Sequence, residues 1–267
     1  MTSRGYAEID GAKLYYEDEG AGEPILLVHA NILDRRMWEP QVEVFARRYR
    51  VIRMDVRGFG RSTYDPGPYS DHGDVLGLVR SLELDEVHLV GLSMGGGIAL
   101  EFALVHPEST KSLVVVPGGV PGHELSEWFD RGFEEFVSAA RDGDFRKAGD
   151  LVMDFAPMVP AGRIPDVRLA LMSMIDDYSW VNVLDDYGDY RELEPPVYER
   201  LDDISCPTLV VSGDLDIEEF REEAEILVQR IPTARLVRIP DAGHMVNMER
   251  PAEFNAAVLD FLSQTSP

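Results

Sequence analysis

Residues 88–100 read HLVGLSMGGGIAL, an apolar run that meets Ser93 among glycines and then continues into a second apolar run. The first run has the character of a strand buried on both faces, and the second has the length of a buried helix. Ser93 therefore falls where strand turns into helix. Gly91 stands two positions before it and Gly95 two after. Glycine and serine are common turn residues, so the pentapeptide fits an ordinary tight turn. It also fits G-x-S-x-G, the strained elbow that presents a nucleophilic serine, with glycines where side chains would collide. A base and an acid elsewhere in the chain decide between the two.

The surrounding pattern supplies the frame. AEIDGAKLYYEDEG alternates around Asp10-Gly11 and predicts an opening β-hairpin. Apolar strands are predicted at 24–30, 50–56, 111–119, 207–213 and 234–240. Helical spacing follows in 35–49 and 71–84, after Ser93, in 218–231 and in 252–264. Strands alternating with helices imply an α/β fold, a doubly wound and mostly parallel sheet covered on both faces. In such sheets ligands lie beyond the carboxyl ends of the strands, where Ser93 sits. The interval 120–200 breaks the alternation and is rich in aromatic residues and methionine. It reads as a helical cap folded over the strand ends, so that 1–119 and 201–267 form the core. Most of its apolar residues are expected to serve the cap's own interior, and a few to wall a pocket over Ser93.

A nucleophilic serine requires a base and an acid that orients that base. Of six histidines, His244 lies in IPDAGHMVNMERP, between the last strand and the last helix, where a loop can return it toward Ser93. His29 ends a strand and is expected to be structural. The strand 111–119 ends without a carboxylate, whereas 207–213 runs into GDLDIEEF and offers Asp214 and Asp216. Either aspartate could instead cap the coming helix.

Composition excludes several classes. The 267 residues carry 49 acidic and 25 basic side chains, a net charge of −24 that repels phosphate backbones and anionic lipid surfaces. Nucleic acid and membrane are therefore not expected partners. The lone Cys206 can form no internal disulfide and is expected to be a buried filler. The chain opens without a basic-then-apolar signal, and no run approaches the ~18 apolar residues of a membrane span. A cytoplasmic location is expected. No metal-ligand spacing is visible.

GLSMGGG, DVRGFGRS (55–62), SGDLD and DAGHMVNMERP together resemble the α/β-hydrolase superfamily, over nearly the whole chain except the variable 120–200. Their order, Ser then Asp then His, is that of the superfamily. The resemblance implies a catalytic triad of Ser93, Asp216 and His244, with the acid at the second aspartate of the Gly-x-x-Asp stretch. It gives DVRGFGRS a shaping role without chemistry of its own. It also implies an oxyanion hole from the backbone N–H groups of Asn31 and Met94, although Ala30 replaces the usual glycine of that loop. The Asn31 side chain could add a polar contact to substrate. DRRMWEPQ resembles enol-lactonase-like and esterase members, which implies a small-molecule ester or lactone substrate and no cofactor. Cofactor-free perhydrolases and carbon–carbon bond hydrolases resemble the same motifs, and hormone receptors of the superfamily show that the fold can bind without turnover. A dehalogenase is disfavoured, since it requires a carboxylate where this chain has Ser93.

Overall fold

Thr2–Ile9 (β1) and Ala12–Gly20 (β2) pair antiparallel through Asp10–Gly11, both at positive φ, a turn whose twist matches the strands it joins. The computed structural model describes residues 2–185 and 187–265. Six further strands follow: Pro24–Val28 (β3), Arg50–Met54 (β4), Val87–Leu92 (β5), Thr110–Val116 (β6), Thr208–Gly213 (β7) and Ala234–Ile239 (β8). They form one sheet in the order β1-β2-β4-β3-β5-β6-β7-β8. β2 meets β4 antiparallel, and every pair from β4 to β8 is parallel.

The central strands show why the sheet needs both faces covered. All residues of β5 and β7 are buried, which suits their runs of Leu and Val. The helices Asp71–Ser81, Met94–Val105, Glu218–Arg230 and Pro251–Thr265 connect or follow these strands. Met94–Val105 is buried from Gly95 to Leu104, as its apolar composition, interrupted only by Glu101, leads one to expect.

β3 and β4 each end two residues before their apolar runs do. The backbone there turns to side-chain partners: Val56 N–H donates to His29 Nε2 at 2.9 Å, while His29 Nδ1 lies 2.8 Å from Ala30 O. Both ring nitrogens of His29 are thus engaged, and burial holds its pKa below the ordinary value, which fits a neutral structural imidazole. In the adjoining loop, buried Asp55 accepts from the backbone of Arg35 and Arg61 and from Arg35 Nη1. DVRGFGRS is fixed by this carboxylate.

Residues 120–200 contain the helices Glu127–Arg141, Phe145–Asp154, Val159–Gly162, Pro165–Asp177 and Val181–Leu184, and no strand of the sheet among the described residues. Phe136, Met153, Met174, Tyr178 and Trp180 are buried, whereas Trp128 and Phe145 are exposed. Cys206, expected to be buried, is only half-buried; it precedes β7 at the sheet margin, where its carbonyl accepts from Thr208 and Thr233. No helix among the described residues is long and apolar enough to cross a membrane.

The turn from β5 into Met94–Val105 is the tightest point of the sheet. A Cβ on Gly91 would fall 2.0 Å from Gly95 O, and one on Gly95 would fall 2.2 Å from Val28 O. Both obstacles are backbone atoms within buried elements and have nowhere to move. Gly95→Ala should therefore destabilise the protein by about 2–3 kcal/mol, the scale of an overpacked core. Urea unfolding of variant and parent measures this, and an unchanged midpoint would contradict the account of the turn.

Candidate active site

Crowding at Gly91 and Gly95 places Ser93 at φ 56°, ψ −120°, a conformation a side-chain-bearing residue rarely adopts. Such backbone strain costs on the order of 1–3 kcal/mol and persists only where the surroundings impose it. Ser93 N–H donates to Val116 O on β6 at 2.8 Å, which ties the elbow to the neighbouring strand. The side chain emerges at the carboxyl end of the sheet, and its Oγ donates to Gly118 O at 3.2 Å.

His244 reaches the same place from the loop after β8. Its Nδ1 lies 3.0 Å from Asp216 Oδ2, and the two side chains are buried, His244 at 4% and Asp216 at 7% exposure. Asp216 Oδ1 accepts from Ile217 N–H at 2.8 Å, so the carboxylate is fixed from both sides. Asp214 is exposed, and the helix Glu218–Arg230 starts at Ile217 without a side-chain cap. The expectation that one aspartate caps this helix is therefore not met; Asp214 contributes its backbone, N–H to Ile239 O at 3.1 Å. With Nδ1 committed to Asp216, His244 presents Nε2 toward its surroundings. A Cβ on Gly118 would lie 2.6 Å from His244 Cε1 and 2.7 Å from Ser93 Oγ, so imidazole and hydroxyl face each other across that glycine.

The two remaining candidates frame the serine from the other side. Met94 N–H opens the helix Met94–Val105, where the positive end of the helix dipole also points. Asn31 follows β3, and Ile32 after it has φ 64°. Among the described residues neither the Asn31 nor the Met94 N–H donates to an acceptor. The Asn31 side chain is partly committed, because its Oδ1 accepts from Ile32 N–H at 2.9 Å. Asn31, Met94, Ser93 and His244 all line one cavity of about 310 Å³. Phe129, Phe133, Phe136, Phe155 and Met158 from the helical segment, with Phe220, supply its apolar walls.

The other histidines are placed elsewhere: His72 against His106, His88 against Ser112, and His123 against Glu223. Two buried glutamates to which the motifs assign no role hold the loops of the site. Glu249 accepts from Gly243 N–H at 2.8 Å and Met245 N–H at 3.0 Å, the residues flanking His244. Burial raises the Glu249 pKa, opposed by those two N–H groups. Glu223 accepts from Gly119 and Val120, beside Gly118. A carboxylate inside the apolar stretch MVNME is the one sequence signal that marks the first of them. Among the described residues no three His, Cys, Asp or Glu side chains are placed to hold a metal ion.

Residues 25–257 match the alpha/beta hydrolase family, and the chain belongs to it. Among solved structures it is similar to the enol-lactonase from Burkholderia xenovorans LB400, with a TM-score of 0.82 and 27% identity over 97% of this chain and 99% of that one. A thermophilic esterase from Thermogutta terrifontis has a TM-score of 0.82 and 28% identity, covering 100% of both chains. A curated relative, the 2-hydroxy-6-oxononadienedioate/2-hydroxy-6-oxononatrienedioate hydrolase of Paraburkholderia phymatum, is 30% identical over 94% of this chain and 91% of its own. The protein is a hydrolase of this fold.

Removing the Glu249 carboxylate would leave two buried N–H groups without an acceptor, a cost of about 1–3 kcal/mol. Glu249→Ala should lower stability by that amount in urea, while the exposed Glu253→Ala stays within ~0.5 kcal/mol of the parent. Equal effects from the two would remove Glu249 from the role given to it.

Proposed function

We propose that the protein is a serine hydrolase of carboxylic esters or lactones, working through an acyl-enzyme on Ser93. The observation that carries this reading is geometric. A strained Ser93 opens into the same apolar cavity as His244, whose Nδ1 is already bonded to buried Asp216.

Rotation of the Ser93 hydroxyl away from Gly118 O brings its proton to His244 Nε2, and Oγ attacks the carbonyl carbon. Catalytic hydrogen bonds of this kind often tighten only with substrate bound. Negative charge gathers on the carbonyl oxygen, where the Asn31 and Met94 N–H groups stabilise it; one such donor is worth ~10²–10³ in rate. Asp216 steadies the imidazolium, which passes its proton to the leaving oxygen. Water, deprotonated by His244, then attacks the acyl carbon and releases Ser93. The reaction calls on no metal or organic cofactor. Similarity to an enol-lactonase and an esterase structure supports the substrate class.

Residues 120–200 act in this reading as the cap that bounds the cavity. At about 310 Å³ the space suits a small or medium substrate. Assayed with p-nitrophenyl esters of rising chain length, simple lactones and long-chain triglycerides, the protein should turn over the short esters or lactones continuously. A single slow turnover with tight retention would indicate a receptor instead, and efficient peracid formation a perhydrolase. Triglycerides as the best substrates would refute a binding space of this size.

The acid assignment has its own test. Asp216→Ala should lower kcat by roughly 10³–10⁴, the scale of losing a triad acid. Asp214→Ala should cost about tenfold or less, because its side chain is exposed. Both are measured on one ester; the opposite ranking would move the acid to Asp214.

A further inference from the structure

Beside the apolar cavity lies a second one of about 440 Å³, and the two share Asn31 and Met94 as a common wall. Its chemistry differs. Phe59, Tyr69 and Tyr190 supply aromatic surface, with the two tyrosine centroids 5.3 Å apart, and Asp71 and Glu192 supply carboxylates. Arg57 is the one basic side chain in the wall among the described residues, and its charge is already matched. It bonds Asp74 through Nη2 at 2.6 Å and Nε at 2.8 Å, with its guanidinium over the Tyr69 ring.

The remaining charge is all negative. Glu101, on the helix Met94–Val105, is 4% exposed and has no hydrogen bond or ion pair among the described residues. It lies close enough to Asp71, Tyr190 and Glu192 for their charges to interact. Glu101 is not itself part of the wall; Asn182, 2% exposed, is, and it donates from Nδ2 to Arg57 O at 3.1 Å and leaves its buried Oδ1 without a partner. Burial and then the charges of Asp74 and Glu101 push Asp71 up to about 8, and burial and then Glu192 push Glu101 up to about 7. Carboxyls crowded in this way gain from any cation that joins them.

We propose that this second cavity binds an organic ammonium group carried on the acyl side of the substrate. The inference rests on the serine-hydrolase reading for the word substrate, and on the cavity alone for the cation. The side follows from His244, which must protonate the leaving oxygen and lines the apolar cavity but not the second one. The leaving group therefore occupies the apolar cavity, and the acyl portion passes Asn31 and Met94 into the other. The acids do not converge with metal-holding geometry among the described residues, so their spacing suits a larger cation. Aromatic faces beside carboxylates are the usual partners of alkylammonium groups.

Two p-nitrophenyl esters test this: one of a six-carbon acid ending in trimethylammonium, the other its neutral tert-butyl isostere. The cationic ester should have the higher kcat/KM by about tenfold, the scale of a desolvated cation on aromatic faces and carboxylates. Glu192→Gln and Glu101→Gln should each lower that ratio severalfold. The ratio should also rise from about pH 6 to about pH 8.5, as Asp71 and Glu101 ionise beside Glu192, Asp74, Arg57, Tyr69 and Tyr190. Taking the ratio cancels titration of the hydrolytic machinery. Equal or reversed preference, or a ratio untouched by both variants, would overturn the proposal. Saturation-transfer NMR with butyltrimethylammonium reads the site without turnover. Binding that is weakened in Glu192→Gln supports the cation site even if neither ester is cleaved, in which case the hydrolase reading fails alone. No binding to the parent protein overturns the cation site whatever the ester kinetics.

Discussion

Close backbone approach at Gly91 and Gly95 is the constraint on which the rest of the structure depends. β5 and the helix leaving it cross at a distance that admits no side chain, with Gly95 pressed against the carbonyl of Val28 on β3. That contact forces the strained φ of Ser93, sets its hydroxyl at the sheet's carboxyl edge, and directs the N-terminus of a buried helix at the same point. Strain in one residue is sustained by the buried strands around it. Sheet and site are in this sense one structure.

The other groups arrive by the same logic of strand ends. The loop after β7 carries Asp216 and the loop after β8 carries His244; backbone bonds from Asp214 to Ile239 and from Leu215 to Ala242 lock these loops together. Glu249 and Glu223 then hold the His244 loop and the Gly118 loop from below, each carboxylate bonded to two consecutive or flanking N–H groups. Because a buried N–H without an acceptor is costly, these carboxylates fix loop shape more firmly than apolar contact could. The Asn31–Met94 edge divides the space above the sheet into an apolar cavity and an acidic one.

Much of this was legible in the sequence. Apolar runs ending in glycine-rich loops marked the parallel strands and the alternation of the α/β-hydrolase fold, and GLSMGGG, GDLD and DAGH marked the strand ends that meet. Strand limits were less legible: the stretches 24–30 and 50–56 run two residues past the ends of β3 and β4, where the Val56 N–H goes to His29 in place of a ladder partner. Asp214 and Asp216 differ by burial, which spacing does not encode. Glu223 and the acidic cavity were invisible for a related reason. Each joins residues far apart in the chain, Glu101 with Asp71 and Glu192 for instance, and charged residues scattered through a strongly acidic sequence look alike until the fold selects a few for burial.

The most direct measurement is covalent. A fluorophosphonate probe, followed by intact mass and peptide mapping, asks which atom of the protein is the nucleophile. The account predicts one adduct per chain, on Ser93, and none after Ser93→Ala. An adduct on any other residue with Ser93 unmodified would contradict it.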